Sequence, residues 1–289
     1  MEYLSKQEQW DSKFFRVLNS ALCSIIAYLL VLFVCGAAKT YTGTFYDIKS
    51  TLYFFDSVPF SDNVATWYLK NVVIVYSSGI IAVVILGLLG LSLFHTLKRF
   101  DFPFALFFLW LYFWASVILC AQGALALLGL EKYESPYYNN LVIVLAWLRV
   151  PQLLAYILVP ASIALLTLSC YYSIRPFISM AYSYGKVNKL VRRRKYFFEI
   201  AGIPFVISAL FVTAAIFPEH FTYVNIFYVL YGAISIVISW YLLFFRDVDR
   251  EGVFKNFKLQ KFNLFIAIFF CVVIALVLWK LDGGIKFGE

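Results

Sequence analysis

Seven stretches of mostly apolar residues, each about 20 residues long, alternate with shorter polar ones along the 289-residue chain. A hydrocarbon core of about 30 Å is crossed by roughly 20 helical residues. The pattern therefore predicts an all-α, polytopic integral membrane protein with about seven transmembrane helices. The spans read 17–37, 72–93, 104–128, 151–172, 196–217, 222–245 and 262–279. Between the first two lies a loop, 38–70, and between the fourth and fifth a basic loop, 173–195.

One apolar run is too long for this scheme. Leu141 to Tyr172 would make a helix of about 48 Å at 1.5 Å per residue, more than one untilted crossing needs. Pro151 disfavours helical geometry at Val150, and Arg149 beside it calls for an interface or a polar partner. The expectation is a broken, interfacial or re-entrant segment at 141–149 before a fourth span that starts at Pro151. In the sixth span Gly232, Ser235 and Ser239 share one helical face, a small-residue stripe suited to a helix–helix contact.

Composition agrees with a chain that lives in lipid. Hydrophobic residues make up 63% and charged residues 14%, where soluble domains carry roughly 25% charged. The net charge of +8 is then read as the Lys/Arg excess of cytoplasmic loops, not as a nucleic-acid surface. With the N-terminus inside, the cytoplasmic side receives 17 of the 24 Lys and Arg and the other side 7. This bias predicts a cytoplasmic N-terminus, an outer C-terminus and an outer loop at 38–70. No small-residue cleavage site follows the first apolar stretch, so it is expected to be a retained span and not a signal peptide. The five cysteines sit in or at the ends of apolar runs without Cys-x-x-Cys spacing, and no Asn-x-Ser/Thr acceptor occurs. A bacterial cytoplasmic (inner) membrane is the expected location.

Candidate chemistry is sparse. Arg149 with Gln152 forms the first candidate, because a charge beside a broken helix at membrane depth is by default functional; Glu131 and Glu134 of the same outer loop are its expected partners. Glu199 is the one carboxylate inside a predicted span, with Lys195 one turn before it as the local partner. The cations Arg175, Lys186, Lys189, Arg192, Arg193, Arg194 and Lys195 of the basic loop are candidates for contact with anionic lipid headgroups or a protein partner. His95 and His220 fall on opposite sides of the membrane in this layout, and Asp247-x-Asp249-x-Glu251 is interleaved with cations and reads as a solvated loop. No catalytic, cofactor or metal site is expected. The favoured expectation is a non-enzymatic membrane subunit that scaffolds or docks a larger complex. A small-solute or lipid transporter or channel is the alternative, served by the helix breaks at Pro151, Pro160 and Pro204, and a lipid-modifying enzyme comes third. The expected partners are the bilayer, other membrane proteins and anionic headgroups on the cytoplasmic face.

Overall fold

The computed structural model describes residues 6–53, 57–59, 67–97, 105–130, 139–181, 184–216, 223–245, 272 and 284–287. The seventh apolar stretch, 262–279, lies outside these apart from Val272, as do Glu131, Glu134, His220 and the 247–251 run. The elements are α1 (Lys6–Thr44), β1 (Ser50–Leu52), β2 (Ser57–Pro59), α2 (Leu69–Leu97), α3 (Ala105–Leu130), α4 (Asn140–Trp147), α5 (Gln152–Ser179), α6 (Leu190–Phe197), a π turn over Phe198–Gly202, α7 (Ile203–Ile216), α8 (Tyr223–Leu242) and β3 (Ile285–Phe287). Among the described residues, six helical stretches are long and apolar enough to cross a membrane: Lys13–Thr44, Leu69–Leu97, Ala105–Leu130, Gln152–Ser179, Leu190–Ala214 and Tyr223–Phe245. The chain is a polytopic helical membrane protein.

α3 stands at the centre and packs against α1, α2, α4, α5 and α8. Small residues let its neighbours approach. At Gly90 of α2 an added Cβ would lie 2.9 Å from the Phe108 carbonyl oxygen and 3.1 Å from the Tyr112 nitrogen. Around α3 the interior is aromatic. Trp110 meets Phe177 of α5 edge to face at 5.3 Å, Phe177 meets Phe197 at 5.9 Å, and Trp114 lies between Tyr28 at 4.7 Å and a stacked Phe205 at 5.5 Å. Gly232, Ser235 and Ser239 are all buried, and Gly232 faces Phe205 and Trp114.

The interior is also tied by two parallel hydrogen-bond relays. Trp110 Nε1 donates to Ser20 Oγ at 2.9 Å, and Ser20 Oγ donates to the Ile200 carbonyl at 2.5 Å. One turn further along, Trp114 Nε1 donates to Ser24 Oγ at 3.0 Å, which meets Ser208 Oγ at 2.9 Å. Pro204 lies four residues after Ile200 and has no N–H to offer that carbonyl. Ser20 supplies a donor to it from another helix, as suits a buried backbone polar group in lipid.

The broken segment takes a defined form. Asn139 caps α4 by accepting from the Leu141 and Val142 nitrogens at 3.0 and 3.1 Å. At the other end Arg149 adopts φ +52°, with Arg149 N bonded to Ala146 O and Val150 N to Leu145 O. This pair of bonds is a Schellman termination with arginine at the left-handed position that glycine usually takes. Pro151 then prevents continuation, and α5 starts at Gln152. α4 packs on α2 and α3, and Asn140 Nδ2 reaches Cys35 Sγ at 3.1 Å.

Three features differ from the hydropathy reading. Helix α1 runs past position 37 to Thr44, because Lys39 is buried and its ammonium sits 5.9 Å over the Tyr76 ring instead of ending the helix. The stretch 173–195 is mostly helical: α5 continues through Arg175 and Pro176 to Ser179, and α6 carries Arg192–Lys195. Arginine and lysine are good helix formers, and helix ends follow hydrogen bonding instead of hydropathy. The stretch 38–70 contains β1 and β2, and β1 also pairs antiparallel with β3 from near the C-terminus, giving the order β2-β1-β3 with Thr51 opposite Val58 and Lys286. Its residues Ile48, Ser50 and Leu52 are buried, with β1 against α1.

Candidate functional site: a cationic cluster where α1, α6 and α8 meet

α1 and the α6–α7 unit run in the same direction, since Ser20 lies by Ile200 and Ser24 by Ser208. Their first turns therefore come together at one end of the bundle. There Arg16 of α1 forms an ion pair with Glu199 of the π turn, and its guanidinium lies 5.1 Å over the Tyr196 ring. Both side chains are mostly enclosed, at 13% and 16% exposure. Glu199 thus pairs with a cation from the first span, not with Lys195 one turn before it. π turns lodged in α-helices recur at functional positions, and this one holds Glu199 where α1 passes.

The remaining cations spread around this end. Arg193 is buried, whereas Arg175, Lys186, Lys189, Arg192 and Lys195 are exposed. Arg192 Nη1 donates to the Gly185 carbonyl at 2.9 Å and fixes the turn before α6. The Arg194 guanidinium carbon lies over Trp240 of α8, 4.2 Å from the ring centroid, well within cation–π range. The seven cations are therefore not equivalent: Arg193 is inside the fold, Arg192 holds a turn, Arg194 lies over an indole ring, and the other four are exposed.

Arg149 and Gln152 lie at the opposite end, and both are exposed. The expected pairing of Arg149 with Glu131 or Glu134 falls outside the described residues. Glu199, by contrast, is paired within the described residues, with Arg16. The structure does not bring Arg149 and Glu199 together. Among the described residues, no three His, Cys, Asp or Glu side chains gather to hold a metal.

Two further features escape a reading of the sequence by charge. The relays through Ser20, Ser24, Trp110 and Trp114 use neutral groups, and their one signal is a serine pair and a tryptophan pair each spaced by four residues. A crevice of about 210 Å³ lies between α7 and α8, with Tyr28 of α1 in its wall and Val212, Thr213, Asn225, Val229 and Leu230 along its sides.

This geometry defines a helical membrane protein with an aromatic interior and a cationic end. Compared with known proteins, the chain matches no family model, no curated protein and no solved structure.

Proposed function

We propose that this chain is a non-enzymatic integral membrane subunit that scaffolds or docks a larger complex in a bacterial cytoplasmic membrane. One observation carries the reading: the space around α3 is filled by interlocked rings of Tyr28, Trp110, Trp114, Phe177, Phe197 and Phe205. Such an interior serves as a rigid pillar, while α2 and α5 offer Ile85, Leu88, Leu89, Leu153, Ile157 and Leu165 outward to lipid or to a neighbouring subunit. In-membrane crosslinking followed by purification in mild detergent tests it. Recovery of the same co-purifying membrane chains across independent preparations is expected; a protein that elutes alone after crosslinking would overturn the scaffold reading.

In the proposed orientation the cationic end is cytoplasmic and gathers anionic headgroups, at about 1 kcal/mol per exposed cation near a charged leaflet. The β1–β3 pairing supports a seventh crossing. It puts Ile285–Phe287 beside the strand that follows α1, whereas five further crossings leave Phe245 at the opposite end. On this reading an odd number of crossings separates Phe245 from Gly284, and the apolar stretch 262–279 is the one we assign to it.

A lipid transporter is the second reading, favoured by the crevice between α7 and α8. Reconstituted vesicles scored for scrambling of a fluorescent phospholipid separate the two. Movement of the lipid above that of empty vesicles would favour transport.

A further inference from the structure

We infer that the outer face of α6, together with the end of α8, forms a specific site for one anionic phospholipid, with Arg194 on its Trp240 platform as the phosphate-binding group. The inference rests on the general gathering of anionic headgroups at this end and goes beyond it by assigning one built site.

The argument starts from the spacing on α6. Val191, Lys195 and Phe198 fall at i, i+4 and i+7 and are all exposed, whereas Arg193, Tyr196 and Phe197 turn into the protein. The outward stripe is thus apolar, cationic and aromatic in order along the helix. Arg194 lies at the edge of this stripe and bridges to α8 by its stack on Trp240. The last turn after α8, Leu243–Phe245, packs against α6 and continues the surface with exposed Tyr241, Phe244 and Phe245. Cations and exposed rings therefore alternate within one patch at the end of the membrane-spanning region. Aromatic side chains at such a depth suit the boundary between headgroups and acyl chains.

The guanidinium itself lacks a protein acceptor among the described residues. Its Nε is enclosed without a hydrogen-bond partner, and no carboxylate among the described residues pairs with it. Contact with the ring restrains the guanidinium, and a planar fork held in place suits bidentate binding of phosphate oxygens. Lys195, next in sequence and exposed, adds a second positive charge. The apolar members of the patch, Val191, Phe198 and Phe244, provide a surface for acyl chains that a soluble anion would not use. Charge and apolar contact together point to a lipid of the leaflet at this end, cytoplasmic in the proposed orientation.

The test uses the full chain in mild detergent, titrated with phosphatidylglycerol or phosphatidylcholine and read by native mass spectrometry. One phosphatidylglycerol should be retained in preference to phosphatidylcholine. Arg194→Gln should weaken that retention about tenfold, equivalent to about 1.4 kcal/mol. Trp240→Leu should weaken it comparably although no charge is lost, and Lys189→Gln, which removes one positive charge off the patch, should change it less than about twofold. Should Arg194→Gln not fold, Arg194→Lys keeps the charge and is still expected to lose part of the affinity, because a lysine offers no fork. Equal losses in Arg194→Gln and Lys189→Gln would overturn the built site while leaving general attraction of anionic headgroups intact. Equal retention of the two lipids would overturn both. Glycerol phosphate competing as well as the lipid would overturn the lipid assignment in favour of a free phosphate ester.

Discussion

The hydroxyl of Ser20 lies 2.5 Å from the carbonyl oxygen of Ile200, an oxygen to which Pro204, four residues on, offers no N–H. A proline in one helix is thereby matched by a serine in another, 184 residues away in sequence. Ser20→Ala should strip both Ile200 O and Trp110 Nε1 of their partner and lower stability by about 1–2 kcal/mol. Pro204→Ala restores an N–H four residues after Ile200 and should absorb part of that loss. A double-mutant cycle in detergent unfolding measures the coupling. Additive penalties would show that the two residues act independently.

The Arg16–Glu199 pair joins the first span to the fifth described one. Removing one partner of a fully buried pair costs about 3–5 kcal/mol, and the partial exposure of this pair lowers the expectation to about 1–3 kcal/mol for Arg16→Ala or Glu199→Ala. The combination of both should cost less than the two separately. Melting temperatures of the three variants in one detergent provide the check.

At Arg149 a non-glycine residue sits in the left-handed region, at a cost of roughly 1–2 kcal/mol. Arg149→Gly relieves it against a smaller entropic loss, so the variant should be more stable by about 0.5–1 kcal/mol. A scan that shows destabilisation instead would mean that the guanidinium holds a partner that the cap geometry does not require.

Gly90→Ala should cost about 1–3 kcal/mol, because the new methyl group meets the backbone of α3 at Phe108 and Tyr112, which cannot rotate aside. Ser92→Ala, exposed on the same helix, is the control and should leave melting unchanged.

Topology is open to a direct measurement. Thr51 and Lys286 are register partners across β1 and β3, so cysteines placed at both positions in a cysteine-free background should crosslink. Reporters fused after Lys189 and Lys258 should signal a cytoplasmic position, and those after Asp56 and Glu289 an outer one. Inverted signals at two of the four fusions would require a different number of crossings.

Hydropathy made much of this architecture readable. Spans as apolar as 72–93 and 104–128 declare themselves, and Pro151 announced the break because it acts on its own neighbours in the chain. The helix ends were less readable, since Lys39 and Arg175 continue helices that a change of polarity would stop. Partners were least readable of all. Lys195 was the nearest cation to Glu199 in sequence, but the contact made is to Arg16, and only the packing of α1 along α7 decides that. The serine and tryptophan relays were hidden for the same reason: spacing by four residues places two groups on one face without saying which helix that face will meet.

The pairing of β1 with β3 also imposes an order of events on biosynthesis. Leu52 emerges 233 residues before its partner Ile285, and at roughly 5–20 residues per second tens of seconds of translation separate them. During that interval β1 has β2 on one side and an open edge on the other. A chain truncated before Ile285 would keep that edge open indefinitely, so a strand made more than 200 residues later closes a sheet begun by the segment that follows α1.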